Sequence, residues 1–329
     1  MKILVTGATG FVGYHVARKL KEKNLGEIFC LARPESEKKF LMELGVKIVE
    51  GDLRNPESLE QALEGAEILF HVAADYRLWA KNPEELVQSN VQGTKNILEA
   101  AKGAGVKKVV YTSSVSAVGR PENGSGDETM EPSPDHLIGP YKQSKYFAEL
   151  EARRFAREGL HVVIVNPSTP VGSHDVKPTP TGKMVLDFLR GKMPAYLDTG
   201  LNLVDVEDVA EGHLLALEKG KSGERYILGN KNLTLKDILG KLAEISGKPA
   251  PKIKIPYWVA YAAGAFSTAW AEISGRPPEI PLDGVKMAHE TMYYRADKAI
   301  KELGFPQTPV EKALEKAVGF FRDFGYLEN

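Results

Sequence analysis

Lys2-Ile3-Leu4-Val5-Thr6-Gly7-Ala8-Thr9-Gly10-Phe11-Val12-Gly13 reads as a short apolar strand, a glycine-rich turn and the first residues of a helix that runs on to Glu22. Glycines have a physical use at such a turn. They permit the tight reversal, let a pyrophosphate approach the backbone N–H groups at the helix start, and let helix and strand pack closely. A glycine triplet alone describes any strand-to-helix connection. With a strand before it and a helix after it, it predicts dinucleotide binding.

The alternation continues along the chain. β-rich runs at Glu27 to Ala32, Lys47 to Glu50, Ile68 to Val72, Lys108 to Thr112 and His161 to Asn166 are separated by segments such as Pro56 to Glu64, Glu84 to Ala104 and Tyr141 to Glu158, where apolar residues recur every three or four positions. That order predicts a parallel sheet with helices on both faces and right-handed crossovers. From about Pro167 Pro and Gly become frequent, and Arg225 to Leu228 reads as a short strand able to rejoin the sheet. The predicted fold is α/β: a doubly wound parallel Rossmann sheet over residues 1–168 and 204–229, with a smaller, mainly C-terminal substrate domain over 169–203 and 230–329. The active site is expected in the cleft between them.

Composition narrows the function. The 329 residues carry 43 Lys+Arg against 44 Asp+Glu, a formal net charge of -1, so no overall basic field recruits nucleic acid. The one cysteine, Cys30, lies in Ile28-Phe29-Cys30-Leu31 and is expected to be buried. The first apolar run ends at Thr6-Gly7, too short for a signal peptide, which predicts a cytoplasmic protein. Ile255 to Ala271 is the longest uncharged stretch, interrupted by Pro256, Gly264, Ser267 and Thr268. It falls short of the ~20 predominantly apolar residues of a membrane span, and a packed helix is expected there in preference to one lying on a membrane surface. No His/Cys/Asp/Glu cluster has metal-ligand spacing, so no metal is expected.

Three further stretches carry chemistry. In Tyr141-Lys142-Gln143-Ser144-Lys145 the phenol and the ammonium at i and i+4 share one helix face. A nearby cation favours the phenolate, so Lys145 is expected to lower the pKa of Tyr141; on a solvated helix the same spacing is a surface pair. Tyr111-Thr112-Ser113-Ser114-Val115-Ser116 brings hydroxyls to the C-terminal end of a strand, where open α/β sheets hold ligands. There Ser114 can polarise a carbonyl oxygen as Tyr141 transfers a proton. At the end of the second strand, Ala32-Arg33 lacks the acid that would accept from a ribose 2′-OH. Arg33 instead suits a 2′-phosphate, with Lys38 and Lys39 near, which predicts NADP(H) with NAD(H) as the lesser partner. Asp205 and Asp208, at a helix entrance, are read as caps.

With these motifs in this order, nearly the whole chain resembles the extended short-chain dehydrogenase/reductase superfamily. Within it the chain is similar to the dihydroflavonol-reductase-like branch, and to bacterial proteins labelled hopanoid-associated sugar epimerases. The finer match is carried by His71 to Trp79, Asn166 to Gly172, Asp175 to Gly182 and Asp198 to Leu215. The resemblance implies that Gly7, Gly10 and Gly13, with Thr9, Phe11 and Val12, hold the cofactor's phosphates. It implies that Asp52 and Leu53 meet the adenine, and that Ala73, Ala74, Thr112, Pro167 and Ser168 line the cofactor, with Asn90 in support. Ser114, Tyr141 and Lys145 are the implied catalytic set, Asp75, Tyr76 and His174 are candidate substrate contacts, and a homodimer is the implied assembly.

The expected reaction is hydride transfer between NADP(H) and a carbonyl or alcohol carbon of a small organic substrate, as in an aldehyde or ketone reductase. One alternative is an NAD-dependent sugar epimerase or dehydratase, as the hopanoid label suggests; another is a catalytically silent nucleotide-sensing protein. Sugar-nucleotide epimerases of this type carry a diphosphate-clamping Arg where this chain has Leu201-Asn202, and a second one near the stretch that here reads Met287-Ala288-His289-Glu290-Thr291-Met292. Arg276, Arg295 and Lys183 are the candidate substitutes.

Overall fold

A computed structural model describes residues 1–77, 79–122 and 124–327, except the side chain of Asp135. Strands β1 (Lys2–Thr6), β2 (Glu27–Ala32), β3 (Lys47–Glu50), β4 (Ala66–His71), β5 (Lys108–Thr112), β6 (Val162–Pro167) and, later in the chain, β10 (Arg225–Leu228) form one seven-stranded sheet. Its order is β10-β6-β5-β4-β1-β2-β3, every neighbouring pair parallel. The expected rejoining of Arg225 to Leu228 is observed, beside β6. β7 (Thr169–Val171), β9 (Gly200–Asp205) and β11 (Lys231–Thr234) make a three-stranded sheet; β8 (Ala195–Tyr196) and β12 (Ile253–Lys254) make a pair.

The helices are α1 (Phe11–Glu22), α2 (Lys39–Leu44), α3 (Pro56–Leu63), α4 (Glu84–Val87), α5 (Gly93–Gly103) and α6 (Gly139–Arg157). They continue with α7 (Pro180–Leu189), α8 (Val206–Lys219), α9 (Leu235–Ser246), α10 (Tyr257–Ser274), α11 (Leu282–Met287) and α12 (Val310–Asp323). On one face of the large sheet, Val16 and Leu20 of α1 and Val209 and Leu214 of α8 pack with Val5 and Phe70. On the other, Leu59 and Leu63 of α3, Ile97 of α5 and Ala148 and Phe155 of α6 pack with Leu69 and Val109. Burial from both sides explains why β6 is apolar almost throughout. A third core joins α7, α9 and α12 to the small sheet through Phe188, Leu239 and Phe321. Ala296, Ala299, Leu303 and Phe305 pack against the large sheet, so the 230–329 stretch contributes to both cores.

Cys30 is buried, and burial pushes its thiol up to about 12. Asp205 caps α8 as expected, accepting from Glu207 N at 2.8 Å, whereas Asp208 holds Thr308 through its backbone N at 2.7 Å and its hydroxyl at 2.8 Å. The helix expected over 255–271 forms as α10, and it packs on one side only. α10 turns its small residues, Ala260, Gly264 and Ala271, inward, and a close approach to α11 at Gly264 leaves no room there for bulk. The large side chains therefore face solvent.

Three histidines, His15, His71 and His213, have no exposed surface, and burial lowers them to about 3, about 3 and about 4. Their folded pKa values lie below the unfolded ~6.5, so the stability of the neutral rings is complete above that value and lost as pH falls through it. Each contributes a loss of ~1.4 kcal/mol by about pH 5.5, ~4 kcal/mol together. Asp175, raised by burial to about 6, runs the other way and returns ~1 kcal/mol over the same interval. Urea titrations at about pH 7.5 and about pH 5.5 should show a clearly lower midpoint at the acid value; equal midpoints would contradict the neutral assignment of these rings.

Candidate active site

Gly7 has φ +73°, a left-handed conformation, and a Cβ there would lie 2.6 Å from Ala73 N. A Cβ on Gly13 would run into the Gly7 carbonyl. Both positions are therefore closed to larger residues, and Gly10 N–H donates to Gly7 O at 2.9 Å to hold the turn. No side chain caps α1, which leaves its N-terminal N–H groups pointing at the loop, as an anion site requires. Behind the loop, Thr6 Oγ1 shares a hydrogen bond with His71 Nδ1 (2.8 Å) and accepts from Ala73 N (3.2 Å), while His71 Nε2 meets Thr94 Oγ1 (3.2 Å). This chain fixes the end of β4 against the glycine turn. Thr9 is exposed at its tip, and Phe11 is buried beside His15.

The adenosine end lies past β2 and β3. Arg33 is more than half exposed and pairs with Glu35 at 3.2 Å. Asp52 does not stand free: Arg54 grips it from Nε at 3.0 and 3.2 Å and from Nη2 at 2.6 Å, and holds its carboxyl below the usual range, with Arg33 adding to the pull. Sequence reading missed Arg54. Leu53 packs against Gly93, and its carbonyl accepts from Asn96 Nδ2 at 2.8 Å.

Burial raises the Tyr141 pKa, and the neighbouring Ser114 and Ser116 hydroxyls offset that rise without overcoming it. Lys145 Nζ donates to Thr112 O at 3.0 Å, and burial lowers it to about 8. The expected depression of the Tyr141 pKa by Lys145 is therefore not seen: burial dominates, and the ammonium is turned to the end of β5. Thr112 is oriented by His213, whose Nε2 meets its hydroxyl at 2.8 Å. One turn beyond Lys145, buried Glu149 accepts from Asn166 Nδ2 (2.7 Å) and Arg225 (3.2 Å); Asn166 also donates to Ser114 O at 3.0 Å. Glu149 and Asn166 thus brace the serine loop. Glu149 was readable as i+8 from Tyr141, yet only the fold supplies its partners.

Asn90 lies in a π-helical turn, Gln88–Gln92, between α4 and α5. Its amide spans two elements, accepting from Asp75 N at 2.7 Å and donating to Asp75 O at 2.8 Å and Ser144 Oγ at 2.9 Å. The Asp75 carboxylate is engaged by Arg77 at 2.6–3.0 Å, and the Tyr76 hydroxyl donates to Lys177 O at 3.2 Å. Leu78, within the 71–79 match, lies outside the described residues. Ser168 Oγ, next to Pro167, is buried without a partner among the described residues. Lys142, also missed, is buried with its Nζ 3.4 Å from His136 O, and burial together with Arg120 brings it to about 8.

His174 is not brought to Tyr141. Its ring, at φ +64°, lies between Tyr14 and Phe320, with centroids 4.8 and 5.3 Å away, and also meets Phe40 and Phe324. It joins α12 to α1 in place of the substrate contact expected of it, because α12 arrives from far along the chain. At the expected clamp position Leu201 pairs with Met292, and Asn202 spends its amide on Asn232 Oδ1 (2.7 Å) and Tyr294 O (3.1 Å). Arg295 is tied to Asp127 at 2.8 Å and Lys183 to Asp187.

The glycine turn, the uncapped α1 N-terminus, buried Lys145 and the unpartnered Ser168 hydroxyl together fit an extended dinucleotide. The family model described as the NAD dependent epimerase/dehydratase family matches residues 3–229. A Synechocystis sp. protein with the provisional name dihydroflavonol 4-reductase is 49% identical over 98% of this chain and 95% of its own. Sterol demethylase protein B of Methylococcus capsulatus is 33% identical over 99% of this chain and 100% of its own. A crystal structure of a nucleoside-diphosphate-sugar epimerase from Pseudomonas aeruginosa superposes with a TM-score of 0.82 at 30% identity, covering 99% of both chains.

Proposed function

Because the chain belongs to the NAD dependent epimerase/dehydratase family, within the extended short-chain dehydrogenases/reductases, and is thus an NAD(P)-dependent oxidoreductase, we propose that it transfers a hydride between NADP(H) and an apolar ketone or its alcohol. One observation carries this reading: the Tyr141 phenol lies beside the Ser114 and Ser116 hydroxyls, on the face of α6 that it shares with buried Lys145.

The nicotinamide supplies the hydride when bound. The chain's own groups then handle the oxygen. Ser114 donates a hydrogen bond to it, and Tyr141, kept protonated at neutral pH by burial, gives it a proton. Lys145 would hold the nicotinamide ribose, Ser168 the carboxamide side. Leu201 and Asn202, where a sugar nucleotide would need a cation, favour a less charged substrate, and the sterol and dihydroflavonol in the relatives' names support an apolar one.

A screen of aldehydes and ketones that follows NADPH absorbance should find stoichiometric consumption. Calorimetry with UDP- and GDP-sugars against the NADP-loaded protein should show no binding at sub-millimolar concentration. A micromolar isotherm, or turnover of a sugar nucleotide without net NADPH use, would return the chain to the epimerases.

A further inference from the structure

α10 is an amphipathic helix turned inside out. Ala260, Gly264 and Ala271 face the protein, Thr268 Oγ1 accepts from Leu282 N at 3.0 Å, and Ser267 Oγ accepts from Ile280 N at 3.2 Å. The opposite side carries Trp258 (71% exposed), Phe266 (75%), Trp270 (60%) and Ile273 (80%), with Tyr261 between them. At 100° per residue these five fall on one broad face, and Trp258 and Trp270 stand ~18 Å apart along the axis. A soluble monomer gains nothing from such a face in water.

The charges around it are sorted. From Tyr257 to Ser274 the helix has one charged residue, Glu272. Within nine residues of its ends, Lys248, Lys252 and Lys254 precede it and Arg276 follows, against Glu279 and Asp283 on the acidic side. Lys254 pairs with Asp198 at 2.7 Å, whereas Lys248, Lys252 and Arg276 have no ion-pair partner among the described residues. An aromatic face that carries a single carboxylate, Glu272, with free cations at both ends complements an anionic lipid surface: rings with a polar edge settle at headgroup depth while the cations meet phosphates. No helix among the described residues is long and apolar enough to cross a membrane, so the contact is peripheral.

The face is also placed where it matters for the site. α11, on which α10 packs, puts the Asp283 carboxylate in the space a Cβ on Gly139 would take, 2.6 Å away. Gly139 starts α6, two residues before Tyr141. We propose that α10 docks this protein on anionic membrane surfaces, setting the Tyr141 end of the cleft beside the bilayer. The docking stands on exposure and charge; its use in delivering substrate rests on the apolar-ketone reading above.

The full chain should co-sediment with vesicles of roughly 3:1 phosphatidylcholine:phosphatidylglycerol, less so with phosphatidylcholine alone, with a blue shift of tryptophan emission. Phe266→Ser with Trp270→Ser should weaken binding about ten-fold or more, and Lys248→Glu with Lys252→Glu should remove the preference for the anionic vesicles. All four positions are solvent-facing, so both variants should keep the thermal midpoint and the NADPH-dependent rate with a water-soluble ketone. No sedimentation of the unaltered chain overturns the proposal. So does equal binding by the aromatic variant, or a micromolar dimer that this variant dissolves while vesicles go unbound. Docking without any carbonyl turnover would keep this proposal and defeat the reductase reading; turnover without docking would do the reverse.

Discussion

Tyr141→Phe is expected to lower the rate of NADPH-dependent carbonyl reduction by about three orders of magnitude, within the range that positioned proton transfer contributes, while NADPH affinity changes less than about two-fold. The substitution removes one oxygen and keeps the ring. What disappears is the proton donor, while Ser114 and Ser116 stay beside the ring. The cradle at Gly7 and Gly13 and the Lys145 bond to Thr112 do not depend on that oxygen. The unaltered enzyme should lose reductive kcat/KM as pH rises through about 8, where Lys145 gives up its proton; the phenol, raised by burial, stays protonated across that interval. Initial rates together with a fluorescence titration of NADPH separate the two effects. Retention of more than about a tenth of the rate would remove Tyr141 from the proton-transfer step.

The parallel sheet was legible because its signal is local: each of β1 to β6 is an apolar or β-rich run matched to within two residues, and the glycine turn is demanded by backbone geometry at Gly7 and Gly13. The 84–104 helix was legible as apolar periodicity but not its π-helical turn at Gln88–Gln92. One widened turn hardly disturbs the periodic pattern, yet it re-aims Asn90 between Asp75 and Ser144. Ser114 comes beside Tyr141, with Lys145 one turn further along α6, because spacing sets the helix pair and strand polarity sets the serine loop. The remainder depends on long-range packing. His174 is captured by Phe320 and Phe324, and Asp52 by Arg54, while the direction of α10 follows from a stripe of small residues that only a close neighbour makes decisive.

The largest effect on binding is expected at the adenosine end. Arg33 and Arg54 flank Asp52, and the carboxylate is already committed to Arg54 in a two-point grip, so it is poorly available to a ribose 2′-OH. A 2′-phosphate entering there would meet two guanidiniums, and a charge-assisted hydrogen bond contributes ~1.5–3 kcal/mol. Arg33 is more than half exposed, so solvent and salt place each contribution near the lower limit, about ten-fold. Arg33→Ala with Arg54→Ala should therefore weaken NADP about 100-fold and leave NAD within about three-fold, erasing the preference. The loop should survive, since Ser58 Oγ still accepts from Asp52 N at 3.1 Å. Arg33→Asp should go further and favour NAD, by supplying the acceptor that the 2′-OH requires. Raising salt should weaken NADP binding to the unaltered chain more than NAD binding. Titration of both nucleotides against the three proteins decides it: equal affinities in the unaltered chain, or an unchanged ratio in the double variant, would mean that neither arginine reads the 2′ position.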